Sequence, residues 1–552
     1  MKRRLVAACS MGNCVHVAGA IHFLDQAKEC GYDTFFLGPA ISVEQIIQYV
    51  KDNSPYMMDV GYRLTPANVI PLVKELKEQS RTLKEQPVWV FGGTRLVAEK
   101  VRKLGFFDKI FDSQEDVDDV YRFLRHKEKE WEKEVFPDTL GERINQKYPY
   151  PILRHHFGLP SFDETVKGVR KIAESGVLDV ISLGTDQNTQ QYYFNPDMAE
   201  SENRGAGGVP VQNAEEFMRL REAADCGNHP LMRCYSGTSN LVRMSGVLNH
   251  TIANAWAAIP LSWYDELDGR GSRTLEEAIR ENMEAILWHA ERGIPVEINE
   301  AHHWGLRDAH DTISVVMSYI SAYVAKSLGV REYIAQYMFN IPHGVTPAMD
   351  LARVLAQIEL TESLADGRMK IYREVRAGLP FLSGNMNVAK GQLAASTSLA
   401  MTVHPHIIHV VGYSEAEQAA TPEVVIESCQ IVRGVIRSTL CGNVNAALDH
   451  KVQRRKEELL QDAGVLLSYI RKYYRNWCGD PFANPDVLAD CIRRGVLDAP
   501  HIVKNQKFTG NISTKIVDGA CVCCHPDSGR EISESERIRL IPPVYRNGVA
   551  RM

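Results

Sequence analysis

Gly12-Asn13-Cys14-Val15-His16-Val17-Ala18-Gly19 decides how the first part of the chain is read. It follows an apolar run, Leu5–Ala8, that predicts a first β-strand, and it leads into an amphipathic pattern that predicts a helix. A strand, a loop with one His and a small-residue helix start place an imidazole at the C-terminal edge of a parallel sheet. Open α/β sheets bind their ligands at that edge. Further apolar runs occur at Thr34–Leu37, Met57–Val60 and Val88–Phe91, with a short fifth at Lys109–Phe111. Helical patterns fill the gaps at Val43–Lys51, Ala67–Gln79 and Thr94–Leu104. This alternation predicts a doubly wound parallel sheet covered on both faces.

Two more positions lie at predicted strand ends: Tyr62-Arg63-Leu64 after the third and Gly92-Gly93 after the fourth. With His16 and Gly19 they resemble the cobalamin-binding domain family. That family carries Asp-x-His-x-x-Gly, Ser-x-Leu and Gly-Gly in this order. The resemblance implies a flavodoxin-like, Rossmann-like domain over residues 1–130. It implies cofactor contacts from Cys14, His16, Gly19, Tyr62, Leu64, Gly92 and Gly93, with His16 as the axial cobalt ligand. Two departures stand out. Cys14 replaces an Asp that would fix the imidazole tautomer, as carboxylates do behind metal-bound His, and a thiol accepts hydrogen bonds only weakly. Tyr62 replaces a smaller Ser that faces the buried nucleotide tail in the family, so a reshaped tail pocket is expected. The bland alternative is a structural His and a turn that uses the conformational freedom of glycine.

The 552 residues suffice for two or three domains. Hydrophobic residues make up 44% and charged residues 24%, ordinary values for a globular chain. A net charge of −6 argues against nucleic acid or an anionic membrane as partner. No apolar run reaches the roughly 18 residues of a membrane span. Met1-Lys2-Arg3-Arg4 is basic, but Leu5–Cys9 is too short for a signal peptide core. Twelve Cys without such a signal predict reduced thiols and a cytoplasmic location. Glu115–Glu134 reads as a solvated charged helix. Phe136–Pro160, rich in Pro and aromatic residues without periodicity, places a linker over residues 131–160.

From Ser161 the pattern lengthens. Strand-like runs at Val177–Leu183, Pro230–Cys234, Val296–Ile298, Tyr333–Tyr337, Phe381–Leu382 and Ile407–Val411 alternate with long helical segments such as Leu275–Glu291 and Pro422–Thr439. This predicts a (β/α)8 TIM barrel over residues 161–440, with its chemistry at strand C-termini. Residues 441–552 form a C-terminal α+β extension. Polar clusters follow the strands at Gly184–Gln191, Arg233–Asn240, Asn299–Asp311, Tyr337–His343 and Gly412–Glu417.

Four segments carry a second resemblance: Gly184–Gln191, Met232–Thr238, Glu281–Gly305 (which includes Arg292–Asn299) and Val411–Glu417. From about Gly176 onward the chain resembles the large subunit of glutamate mutase (methylaspartate mutase). The N-terminal domain resembles that enzyme's small, cobalamin-binding subunit, here fused to the large one. The resemblance implies adenosylcobalamin (coenzyme B12) as cofactor, a radical carbon-skeleton isomerisation, and a homodimer by family habit. The family clamps two substrate carboxylates with three Arg, whose guanidinium groups match carboxylates bidentately. Arg233 falls on one of these positions, Gln190 on the second, and Glu300 near the third. Losing two cations leaves a buried dicarboxylate uncompensated, at several kcal/mol per ion. The expected substrate is therefore a small carboxylic or amino acid other than glutamate. The resemblance further places Tyr337 beside the substrate, Lys326 near its amine and Glu415 on the adenosine ribose. Arg233, Glu300 and Tyr337 are the implied catalytic residues.

Other readings stay open. Glu297–Asp311 is dense in His and carboxylates and reads as a metal site or, with more weight, a polar substrate loop. Cys521-Val522-Cys523-Cys524-His525 reads as a zinc or redox cluster or as buried thiols. The whole chain also fits a corrinoid-dependent methyltransferase. The departures at Cys14 and Tyr62 fit a non-catalytic cobalamin-binding or regulatory protein.

Overall fold

Strand and helix alternate from the first residues of the computed structural model. It describes residues 4–541 apart from 114, 116, 126–134, 236, 478, 503–506, 509 and 511, together with 545, 546, 549 and 550. The chain divides into two units, Met1–Val135 and Phe136–Met552.

In the first unit, β1 (Leu5–Met11), β2 (Asp33–Ile41), β3 (Met57–Tyr62), β4 (Val88–Gly93) and β5 (Lys109–Phe111) form one parallel sheet in the order β2-β1-β3-β4-β5. The helices are α1 (Ala18–Glu29), α2 (Val43–Asn53), α3 (Pro66–Ser80), α4 (Arg95–Arg102) and α5 (Val117–Leu124). Side-chain alternation sorts the strands into two cores. Val6, Ala8, Met57 and Val90 meet Ala20, Phe23 and Leu24 of α1 and Phe123 and Leu124 of α5. Cys9, Met58, Val60, Tyr62 and Phe91 meet Ile46, Ile47, Val69 and Val73 of α2 and α3. Each large apolar side chain so buried contributes about 1.5–3 kcal/mol before entropy. A capping box between Ser42 and Gln45 starts α2. The predicted flavodoxin-like domain is observed. Of the charged helix expected over 115–134, α5 is described, and residues 126–134 lie outside the described residues.

The second unit holds eight parallel strands: β6 (Ile152–Phe157), β7 (Val180–Leu183), β8 (Leu231–Cys234), β9 (Ala257–Ile259), β10 (Val296–Ile298), β11 (Glu332–Phe339), β12 (Lys370–Ala377) and β13 (Ile407–His409). They run in the order β8-β7-β6-β13-β12-β11-β10-β9, and a parallel bridge between Tyr235 and Ala258 joins the two ends. This is the expected (β/α)8 barrel, with three strands, β6, β9 and β12, outside the expected runs. Its first strand, β6, lies inside the stretch expected to be linker. Phe381–Leu382, expected as a strand, instead ends a short 3-10 turn (Leu379–Phe381), and the strand is β12, just before it. The third missed strand, β9, is only three residues long, too short for its apolar run to stand out. The other two carry charge on the lumen face: Arg154 and His156 in β6, Glu374 and Arg376 in β12. Polar residues facing inward erase the apolar run by which a buried strand is recognised.

The helix Leu140–Lys147 packs Leu140 and Ile144 against Ile152, Val180, Trp256, Ile334, Tyr372 and Ile407 and closes the N-terminal end of the barrel. The extension adds helices at His450–Tyr473, Pro485–Arg493 and Glu534–Leu540 and a hairpin of β14 (Ser513–Val517) and β15 (Ala520–Cys524). Leu459, Ala463, Leu466 and Val487 join it to the barrel core. No described helix is long and apolar enough to cross a membrane.

Candidate functional site

The first site is the C-terminal edge of the first unit's sheet. The chain leaves β1 through Gly12, whose φ of +66° belongs to the left-handed region. Ser10 Oγ donates to the His16 carbonyl at 2.7 Å and holds the loop. The His16 side chain is exposed. Its Nδ1 lies 3.7 Å from Cys14 Sγ, a buried thiol that also accepts from Arg63 N at 3.4 Å. Nε2 of His16 has no partner among the described residues.

Beside His16 runs a groove of about 240 Å³, walled by Gly19 and Phe23 of α1 and by Asp59, Gly61, Gly92 and Gly93 of the strand ends. A Cβ on Gly19 would meet nothing within 4 Å, whereas one on Gly93 would lie 2.8 Å from the Phe91 ring and 3.0 Å from Tyr62 O. The first glycine leaves the groove open, and the second is required by packing. Tyr62 and Leu64 do not line the groove. Both pack into the α2/α3 core, and burial raises the Tyr62 phenol. Tyr62, expected to reshape a tail pocket, stays off this groove, because the period of two sends residues 59 and 61 to the groove and 62 to the opposite face.

Sequence reasoning missed Asp59. It is 3% exposed on the groove floor. Burial pushes its carboxyl up to about 7, against a lowering contribution from the Val60 backbone. The signal was available, since an acid in the apolar run Met57–Val60 is out of place in a covered strand.

The second site is the barrel lumen. Its middle layer is a closed set of ion pairs. Arg154 Nε donates to Glu374 Oε1 at 2.7 Å, and Arg233 Nη2 donates to Glu297 Oε2 at 2.9 Å. Trp256 Nε1 (2.7 Å), Gln336 Nε2 (2.6 Å) and Asn299 Nδ2 (2.5 Å) complete the shell around Glu297. All four charged side chains are fully buried. Arg233, expected as a free carboxylate clamp, is thus already neutralised inside the protein.

The other expected residues are dispersed. Glu300 accepts from Leu261 N (2.9 Å), Ser262 N (3.0 Å), Ser262 Oγ and Trp304 Nε1 (2.8 Å), so it pins the loop after β9 rather than facing a ligand. Gln190, half-buried after β7, donates to Thr185 O at 2.7 Å. Glu415, after β13, accepts from Gly412 N at 2.6 Å and lies 2.9 Å from His155 Nε2. Tyr337 points away from the lumen. Gln336 holds the inward position, and the Tyr337 phenol, raised by burial, sits beside Thr361 in the helical layer. Lys326 ends its helix at the opposite end of the barrel, where it binds Leu364 O at 2.8 Å and Asp366 at 3.1 Å.

Above the ion pairs, toward the strand C-termini, lies an imidazole layer made of His302 and His303 from the His-rich run 297–311 and of His156 and His409, which carry no sequence motif. The His156 ring stacks on Tyr235 at 5.1 Å and meets the His409 ring edge-on at 4.8 Å. Arg154 Nη1 donates to His156 Nε2 at 3.0 Å, which makes that nitrogen the acceptor. The His302 and His303 rings lie 4.4 Å apart. Burial, then nearby Arg residues, hold His156, His302 and His409 well below the usual imidazole range. Burial, then His302, does the same for His303.

The acidic and His-rich run 297–311 does not converge. Glu297 enters the lumen, His310 lies 3.7 Å from Glu534, and Asp311 pairs with Arg455 at 3.2 Å. Among the described residues no group of three or more His, Cys, Asp or Glu side chains is placed to hold a metal. Cys521, Cys523 and Cys524 are buried, unpaired thiols in β15, and burial pushes Cys523 up to about 12.

No family model matches the chain, and no curated protein matches it. Among solved structures it is similar to a cobalamin-binding protein from Desulfitobacterium hafniense DCB-2, at 20% identity over 22% of this chain and 59% of that one, with a TM-score of 0.19. The chain thus spans about 59% of the length of that protein. It is also similar to a truncated 3-deoxy-D-arabino-heptulosonate 7-phosphate synthase from Thermotoga maritima (13% identity, 53% and 88% covered, TM-score 0.32). A third is 2,3-dimethylmalate lyase (12% identity, 56% and 100% covered, TM-score 0.28).

Proposed function

We propose that the chain is an adenosylcobalamin-dependent, glutamate mutase-like enzyme that rearranges the carbon skeleton of a small carboxylic or amino acid. The observation that carries this reading is the exposed His16 imidazole, its Nε2 unpartnered, beside a glycine-walled groove at a parallel sheet edge.

The residues fit such a group. His16 would ligate the metal, Cys14 would steady its ring from Nδ1, and Gly19, Gly61 and Gly92 would admit a flat ligand against the backbone. At about 240 Å³ the groove is below the 300–1,000 Å³ typical of ligand pockets. It would therefore take part of the group and leave the larger part outside it. When bound, the group supplies radical chemistry. The barrel's own contribution is a dry, charge-balanced lumen with polar groups at its C-terminal rim.

The test is a spectrum of the protein reconstituted with adenosylcobalamin in the dark, compared with His16→Ala. A bound, histidine-ligated spectrum that disappears in the variant is expected. A wild-type chain that binds no corrinoid overturns the reading. Turnover with methylcobalamin and no radical signal replaces it with methyl transfer.

A further inference from the structure

We propose that the barrel rim contains an anion subsite built on Arg376, which takes a carboxylate group of the molecule that enters the barrel. This deepens the reading above and rests on it only in assuming that a substrate enters the barrel.

Glu374 and Arg376 share the lumen face of β12. Glu374 is bound to Arg154, while Arg376 stands one layer closer to the rim, in register with His409 on β13. His409 touches His156, which stacks on Tyr235. The Arg376 charge is among the causes that lower the His302 and His303 imidazoles, as it is for His156 and His409. In the layer below, two Arg and two Glu cancel. In the rim layer Arg376 has no such counterweight. Its Nε donates to Ala377 O at 3.4 Å, and no carboxylate among the described residues lies within 4 Å of it.

Other rim cations differ. Arg307 and Arg270 share Asp268, at 3.0 and 3.9 Å, and Arg273 meets Glu281 at 2.6 Å. A half-buried guanidinium without a counterion is costly unless an anion arrives to balance it. The buried Nδ1 atoms of His302 and His409 have no hydrogen-bond partner and offer sites for the anion's remaining lone pairs. One guanidinium balances one negative charge and presents paired N–H groups that match a planar carboxylate. A phosphate dianion would leave a second charge among neutral rings.

The test uses the full chain and titration calorimetry at fixed ionic strength, with and without adenosylcobalamin. The probes are propionate, inorganic phosphate and chloride, and the proteins are wild type, Arg376→Gln, Arg376→Lys and the exposed control Arg280→Gln. Saturable propionate binding is expected, weakened about tenfold or more in Arg376→Gln, partly restored in Arg376→Lys and unchanged in Arg280→Gln. Thermal unfolding supplies a second readout. Removing an unbalanced charge leaves Arg376→Gln as stable as wild type or more so, whereas an internal ion-pair role lowers its Tm. Equal propionate binding by wild type and Arg376→Gln, tighter binding of phosphate than of propionate, or a lowered Tm overturns the subsite. Absence of corrinoid binding with propionate binding intact overturns the proposed function and leaves the subsite standing.

Discussion

His16 stands exposed on a loop with only a thiol 3.7 Å from one ring nitrogen, whereas Arg233 is sealed in the barrel with Glu297 at 2.9 Å. Both were read from the sequence as binding residues. The first is under-partnered and free to take a ligand. The second is over-determined and serves the fold. A charged residue at a strand end therefore signals a binding site only when its counter-charge is missing from the protein itself. Under that criterion Arg376 takes the place in the barrel that Arg233 was expected to hold.

The comparison is broken most directly at Glu297. Glu297→Ala strands a fully buried Arg233 and empties the shell of Trp256, Gln336 and Asn299. It is expected to destabilise the barrel by about 3–5 kcal/mol, read by urea unfolding. A loss below about 1 kcal/mol means that the lumen layer is not structural.

In the first unit the corresponding lever is Asp59. Its carboxyl stays protonated to about pH 7 when folded but ionises near the ordinary 3.8 when unfolded. Between those values the folded state holds the extra proton, so stability falls as pH rises through that window and stays low above it. At about 1.4 kcal/mol per unit the loss approaches about 4 kcal/mol. Asp59→Asn should remove this slope and be the more stable form at pH 8, measured by hydrogen exchange of the β3 amides. A slope unchanged in Asp59→Asn would show that this group does not titrate in the fold.

The smallest expected effect sharpens the contrast at His16 itself. Cys14→Asp gives the imidazole a strong acceptor in place of a weak one. On the proposed function it tightens corrinoid binding about 10-fold to 100-fold, read by titration with adenosylcobalamin. No change would mean that the partner of Nδ1 does not tune the ligand.

The two units were also unequally legible. The first could be read because each element lies in one stretch of chain: the strand alternation, the His16 loop, and the glycines at 19, 92 and 93. Tyr62 and Leu64 failed because a motif position does not record which face of a strand a side chain takes, and β3 turns Tyr62 to the α2/α3 core. The barrel was legible as an alternation, yet β6 and β12 were hidden by their own charged lumen faces and β9 by its length of three residues. Pairings such as Arg154–Glu374 join residues 220 positions apart. They follow from closure of eight strands and leave no local trace. Tyr337 failed by one residue of parity. Lys326 failed by direction, since a barrel helix runs back and ends where the next strand begins, far from the rim.

The plug formed by Leu140 and Ile144 makes the barrel a blind vessel. Whatever enters must leave by the mouth through which it came. Among the described residues a reactive species formed near the rim finds no rear exit, and water no rear entry. Traffic through that single opening then governs both the lifetime of anything unstable held there and the order in which reactant and product exchange.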